Sequence, residues 1–396
     1  MPRFIYLDSS DFSNLAHNAE NIEFATMRKL LLQGVADNKI AVPFSYVHLS
    51  EMLPTVHEQT DYAIARAKAI KAICQTTVFV DPFTFHRTEL RHALDGSYEP
   101  AEIVDELARF DGKWLPGFDL VDRLKGRNLY LAEECAGTRQ RRRRYMRERE
   151  KLVQRYISDT AKLNVFEDPA ELRDLVESAF SGKITNDELS LIIERKFFDL
   201  ETLVRRYHST KSPYGKMKES LQSMGDMFSS TYSALVDITF DVTEAAKRAK
   251  EKSSAHDLID FGVQVIRDKL LLGLYDVRKQ YAHRLFKEDQ IDERTLQRAL
   301  PLCQSINASF GFMAKRMLSI FDGVMTGSIS LRKAPKQYKS SDAGDAQHIS
   351  YLPYSDLFRC EQRTSKVLAD MNMFQDGRIC DTPEVFNRKL LNLLQT

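Results

Sequence analysis

The chain has 396 residues, 43% hydrophobic and 29% charged, with 57 Lys and Arg against 56 Asp and Glu and a formal net charge of +1. That length can bury a large core and predicts two structural units, and the near-neutral balance excludes a polycation, so nucleic-acid attraction would have to come from local patches. The five cysteines, Cys74, Cys135, Cys303, Cys360 and Cys380, are odd in number, widely separated and without a C-x-x-C, which points to neither a disulfide framework nor a zinc site and leads us to expect a reducing cytoplasm.

In chain order, Phe4 to Leu7 predicts a strand that stops at Asp8 in "FIYLDSSDF". Asp8 interrupts this apolar run early, so no secretory signal is expected. No uncharged apolar stretch is long enough to span a bilayer, so no membrane partner is expected. Residues 11–37 have a helical period that Asn38 breaks. "KIAVPFS" (39–45) is a second apolar run, with Ser45 placed to cap the helix "YVHLSEML". "DYAIARAKAIKAIC" predicts a helix, and "TTVFVDP" (76–82) a β-branched, aromatic strand stopped by Pro82.

From about 86 to 334 helical patterns follow one another, with Gly182 closing one helix and Thr185 or Asn186 opening the next. "STKSPYGK" (209–216) reads as a turn. Near 340 the alternating texture returns. "SSDAGDAQHISYL" is a helix ending before Pro353, "SDLFRC" (355–360) a strand, "TSKVLADM" a short helix, "GRICD" (377–381) a strand and "TPEVFNRKLLNLL" an amphipathic helix. The expected organisation is an α/β domain in two parts, 1–85 and 335–396, interrupted by an α-helical bundle over 86–334.

Sites in open α/β sheets form at the carboxyl ends of strands. Asp8 stands at such an end, Glu51 lies in the helix after the second apolar run, Asp345 near the start of a late helix, and Glu361 directly after the strand ending at Cys360. Each has an ordinary alternative. Asp8 can cap a helix, Glu51 can be a solvated helix acid, and Asp345 an N-cap, with Asp342 competing for either role. Together, four acids far apart in sequence can converge on one hard divalent cation.

The segments "IYLDSSDFSNLA", "IAVPFSYVHLSEML" and "DAQHISYLPYSDLFRCEQR" carry these acids in an order that resembles the PIN-like nuclease family. The resemblance covers residues 1–85 and 335–396. It implies a PIN-like parallel sheet flanked by helices and Mg²⁺- or Mn²⁺-dependent hydrolysis of phosphodiester bonds. It also implies a ligand set of Asp8, Glu51, Asp345 and, fourth, Glu361. Ser10 would position Asp8 or a ligand water, and His48 or His348 would either assist the metal or be structural. The large helical insertion departs from the family, as does Glu361 after Cys360, where Asp is usual.

"TRQRRRRYMRERE" (138–150) groups Arg139, Arg141, Arg142, Arg143, Arg144 and Arg147 within a few helical turns, with Tyr145 between them. Such a face can bind phosphates or pair with its own Glu148 and Glu150, or with an acidic protein. "RKQYAH" sets Arg278 and His283 in an R-x4-H spacing similar to that of metal-independent HEPN ribonucleases. The expectation is therefore a metal-dependent endonuclease, with RNA favoured over DNA by resemblance, whose helical insertion binds substrate, a protein partner or a second copy. The alternatives are an inactive PIN-like binding component and a HEPN-like ribonuclease.

Overall fold

A computed structural model describes residues 2–18, 20–53, 59–113, 168–209, 239–248, 256–285, 291–330, 341–371 and 377–396, with single positions between them. Of the arginine-rich stretch only Arg139 is among them, helical and exposed; Arg141, Arg142, Arg143, Arg144 and Arg147 lie outside the described residues, as does most of the turn expected at 209–216.

The described residues are mostly helical and carry two small sheets. β1 (Arg3–Tyr6) is central in the first. It pairs in parallel with β2 (Ile40–Ala41) on one side and β6 (Leu357–Arg359) on the other, and β6 pairs in parallel with β7 (Ile379–Cys380), giving the order β2-β1-β6-β7. Ile5 faces Leu357 and Tyr6 faces Phe358, so the beginning and the far end of the chain share one ladder. β3 (Phe44–Ser45), β4 (Val78–Phe79) and β5 (Ala108–Arg109) form the second sheet, with β3 and β4 parallel and β5 antiparallel. The second apolar run, 39–45, thus holds two strands in different sheets. Pro43 lies between them; it has no N–H to give a ladder and so marks the switch.

The helical stretch expected over 11–37 also divides, into α1 (Ser9–His17) and α2 (Ile22–Ala36). Asn21 opens α2 by accepting from the amides of Glu23 and Phe24, a local alternative to continuing the first helix. After β3 comes α3 (Tyr46–Met52), then α4 (Thr60–Cys74), α5 (Pro82–Asp95) and α6 (Pro100–Leu107). Farther on lie α7 (Pro169–Phe180), α8 (Asn186–Phe198), α9 (Leu200–Ser209), α10 (His256–Leu285), α11 (Glu293–Ala299) and α12 (Gln304–Thr326). The chain ends with α13 (Ser341–Ile349), α14 (Gln362–Asp370) and α15 (Pro383–Gln395).

The chain divides into two compact units, one of Met1–Met52, Ala69–Trp114 and Leu221–Thr396, the other of Leu53–Lys68 and Leu115–Ser220. The boundaries expected at 85 and 334 therefore do not coincide with the structure's. The reason is burial. Phe85 and Leu90 from α5 and Phe312, Met313 and Phe321 from α12 join one core with Phe4, Tyr6, Phe79, Tyr351 and Phe358 of the sheets and their connections. Tyr6 stacks on Tyr351 and Phe358 with ring centroids 4.9 and 5.4 Å apart, and Phe79 lies almost parallel to Tyr351 at 5.3 Å. Each such pair contributes about 0.5–1.5 kcal/mol beyond the area it buries.

In the second unit, α7, α8 and α9 bury Leu172, Val176, Leu189, Ile193, Leu203 and Val204. Thr185 opens α8 with a capping box to Glu188, and Gly182 after α7 adopts φ 72°, both as the sequence leads one to expect.

Candidate carboxylate site

β1 delivers Asp8 to its carboxyl end directly after the fully buried Leu7. Asp8 is extended (φ −83°, ψ 173°) and is the N-cap of α1. Its Oδ1 accepts the Asp11 amide at 3.0 Å and the Ser10 hydroxyl at 2.6 Å. The ordinary capping role is therefore real, and Ser10 orients the carboxylate. A carboxylate has about four lone-pair positions, so these two bonds leave Oδ2 for another partner. Asp11, buried at the third position of α1, lies 3.5 Å from Nε of Arg359 on β6. Burial pushes the Asp11 carboxyl up, and Asp8 adds to this, against the pull of Arg359.

His48 explains how α3 is held against β1. Its Nδ1 accepts the Ser45 backbone amide at 2.9 Å, so the ring proton must sit on Nε2, which donates to the Leu7 carbonyl at 2.8 Å. His48 is a neutral structural histidine. One turn later, α3 presents Glu51, whose side chain is 36% exposed. Its Oε1 lies only 2.5 Å from where a Cβ on Gly344 would stand. Gly344, inside α13, lets the carboxylate come this close.

His348, buried on α13, is the hub. Nε2 lies 3.3 Å from both Glu51 Oε2 and Ser9 Oγ, and Nδ1 lies 2.8 Å from the Tyr6 hydroxyl, which is itself 2.9 Å from Ser45 Oγ. With both ring nitrogens protonated, His348 donates to Tyr6 on one side and Glu51 on the other, and the hydroxyl chain runs on to Ser45. Burial lowers the imidazole, but the charge and hydrogen bond of Glu51 outweigh it, so its pKa is raised. Conversely, burial raises Glu51, and the charge and hydrogen bond of His348 override it and hold the carboxyl at about 2.

Asp345 lies on the same helix, one turn before His348. Burial pushes its carboxyl up; His348 pulls it down, Glu51, Asp342 and Asp8 push it up again, and it settles at about 7. The Thr364 hydroxyl donates to its Oδ2 at 3.3 Å. Asp342 is otherwise committed. Its side chain is 1% exposed, between Arg363 at 2.8 Å and Arg316 at 3.3 Å. That removes it from the competition with Asp345.

Asp8, Glu51 and Asp345, from three distant segments, therefore lie in one another's field. Glu361 is the exposed N-cap of α14, and its side chain makes no capping bond. Among the described residues no three His, Cys, Asp or Glu side chains converge closely enough to hold a metal ion. The donor chemistry nevertheless suits a hard cation, because all candidates are carboxylates, and burial first, with repulsion from the neighbouring acids added, raises the Asp345 carboxyl to about 7. Their oxygens are turned to protein partners: Asp8 to Ser10, Glu51 to His348 and Asp345 to Thr364.

Tyr6, Ser9, Gly344 and Thr364 complete the arrangement and were not singled out from the sequence. Tyr6 reads as one more core residue in an apolar strand. Gly344 did leave a signal, since a glycine inside a helix costs about 1 kcal/mol and asks for a packing reason.

The R-x4-H pair diverges. Five residues along a helix turn by about 140°. Arg278 donates to Asn307 Oδ1 at 2.5 Å and lies over the Tyr275 ring at 4.5 Å, whereas His283 pairs with Glu293 at 3.3 Å. Among the described residues no helix is long and apolar enough to cross a membrane. No family model, curated protein or solved structure matches this chain.

Proposed function

We propose that this protein is a metal-dependent nuclease of PIN-like type. Asp8, Glu51 and Asp345 would hold Mg²⁺ or Mn²⁺, with Glu361 as a fourth carboxylate, and RNA is the favoured substrate. The observation that carries the reading is the pairing of β1 with β6, which joins the two ends of the chain in one parallel ladder, with Asp345 feeling the charge of Asp8. With a divalent ion held by these carboxylates, the site would gain an activated water and stabilisation of the leaving oxygen. The protein's own groups do the rest. Ser10 fixes the Asp8 carboxylate, His348 keeps Glu51 ionised, and Thr364 orients Asp345. The nucleic-acid role of Arg139 to Arg147, a protein partner or second copy at the helical segments, and a cytoplasmic location belong to this proposal as well.

The catalytically inactive binding component is the second reading. It is favoured by the Glu51–His348 pair, which already neutralises one acid without a metal. Arg278 and His283 serve separate partners, which gives the HEPN-like alternative no shared site. Cleavage of a labelled single-stranded RNA in Mn²⁺ separates the first two. The parent should cut and Asp8→Asn should lose at least about 100-fold in rate, a loss in the range mutagenesis finds for a single electrostatic catalytic group. Equal, negligible cleavage by both would leave the binding component.

A further inference from the structure

A site built only of carboxylates repels the polyanion it would have to cut, so something beside it must attract phosphate. We infer that Arg363, on the first turn of α14, is the residue that grips the substrate backbone next to the carboxylates. The inference rests on the nuclease reading and names its substrate contact.

Three features carry it. Arg363 and Arg316 both donate to Asp342, at 2.8 and 3.3 Å, so one buried carboxylate holds two guanidinium groups in place. The two arginines differ in access: the Arg316 side chain is 12% exposed and Arg363 is 36% exposed. A guanidinium has five N–H donors, so Arg363 keeps a free edge while Asp342 fixes its orientation. Finally, the neighbouring residue, Thr364, donates to Asp345 at 3.3 Å, so the cation adjoins the carboxylate site itself. Asp342 and Asp345 are three residues apart on α13, about 4.5 Å along its axis. Arg363 would hold a phosphate of the strand beside the carboxylates. Such a contact orients a backbone and reads no base.

The test is equilibrium binding of a fluorescent single-stranded oligoribonucleotide to the full chain in EDTA, where a metal-dependent reaction is off, over a series of salt concentrations. A DNA oligonucleotide of the same sequence runs in parallel. Arg363→Gln should weaken binding about tenfold at low salt and lower the slope of log K against log salt by about 0.7 on a single strand. Arg363→Lys should recover most of the slope, because the charge returns. Arg316→Gln removes the buried partner of Asp342 and should lower the thermal midpoint while leaving the slope unchanged. If Arg363→Gln keeps the parent's affinity and slope, or lowers only the thermal midpoint, Arg363 is a structural staple and the inference is overturned. A parent that binds neither RNA nor DNA at any salt would overturn the nuclease reading and the inference together. RNA binding that Arg363→Gln does not change would overturn the inference alone.

Discussion

At the scale of single residues, the site is a balance of charges whose signs can be worked out. Asp345 is raised to about 7 in the fold against an ordinary value of 3.8. Between those values the folded state binds the extra proton, so stability falls as pH rises through that window. In EDTA, Asp345→Asn should therefore unfold at a higher temperature than the parent at pH 8, and the difference should shrink as pH drops towards 4. Thermal melts of both proteins across that range check it, and a constant difference would show that the fold does not raise the Asp345 carboxyl. Glu51 runs the other way. Held at about 2 by His348, it contributes stability that is complete above its ordinary value of 4.5 and is lost as pH falls towards 2. His348, raised above 6.5, contributes stability that is complete below 6.5 and is lost as pH climbs through its folded value. Glu51→Gln should bring the His348 titration down in NMR, since burial then acts without its main opponent. Gly344→Ala tests the same contact sterically. The added methyl should displace the Glu51 carboxylate from α13 and lower the His348 pKa in the same direction, with the helix itself intact.

Much of this cluster was legible in the sequence. Asp8 at the end of an apolar run, Glu51 in the helix after the second apolar run and Asp345 near a helix start all read as candidate acids, with Ser10 and His348 beside them. Tyr6 and Thr364 were not legible, because a tyrosine in a strand and a threonine in a helix are ordinary core and surface choices until their partners, 342 and 19 residues away, are known. Glu361 was a candidate by its place after a strand, and it opens α14 as an exposed N-cap.

Among the elements, α12 shows how the fold closes on buried polar groups. Its own N-cap, Cys303, offers no side-chain bond. Glu89 of α5 does that work from across the core. It accepts the Ser305 amide at 3.0 Å and the Ser305 hydroxyl, and also takes the hydroxyls of Tyr354 at 2.6 Å and Tyr98 at 3.2 Å. Glu89→Ala would leave these donors unpaired in the interior, and we expect a loss of about 2–4 kcal/mol in urea unfolding. A loss under about 0.5 kcal/mol would show that the cap is dispensable. None of this was readable beforehand, since the cap comes from 216 residues away. Local caps such as Thr185 with Glu188 were readable, because both partners lie within one turn. Pro43 was visible in the second apolar run, yet periodicity alone did not say that the chain changes sheets there.

For the molecule as a whole, the expectation that the two ends of the chain build one α/β unit corresponds to the observed pairing of β1 with β6. The extent of that unit does not. Helical patterns between 86 and 334 suggested a separate bundle, but an amphipathic pattern says only that one face is buried, not against what. Leu90, Phe312 and Phe321 bury theirs in the core that holds Tyr6 and Phe358. The functional account rests on whether this unit collects carboxylates around a metal. The most direct measurement is an anomalous difference map from a crystal soaked in Mn²⁺. The account predicts a peak bounded by the carboxylates of Asp8, Glu51 and Asp345, with Glu51 turned away from His348. A fully soaked crystal with no peak among these three acids, and Glu51 still paired to His348, would contradict it.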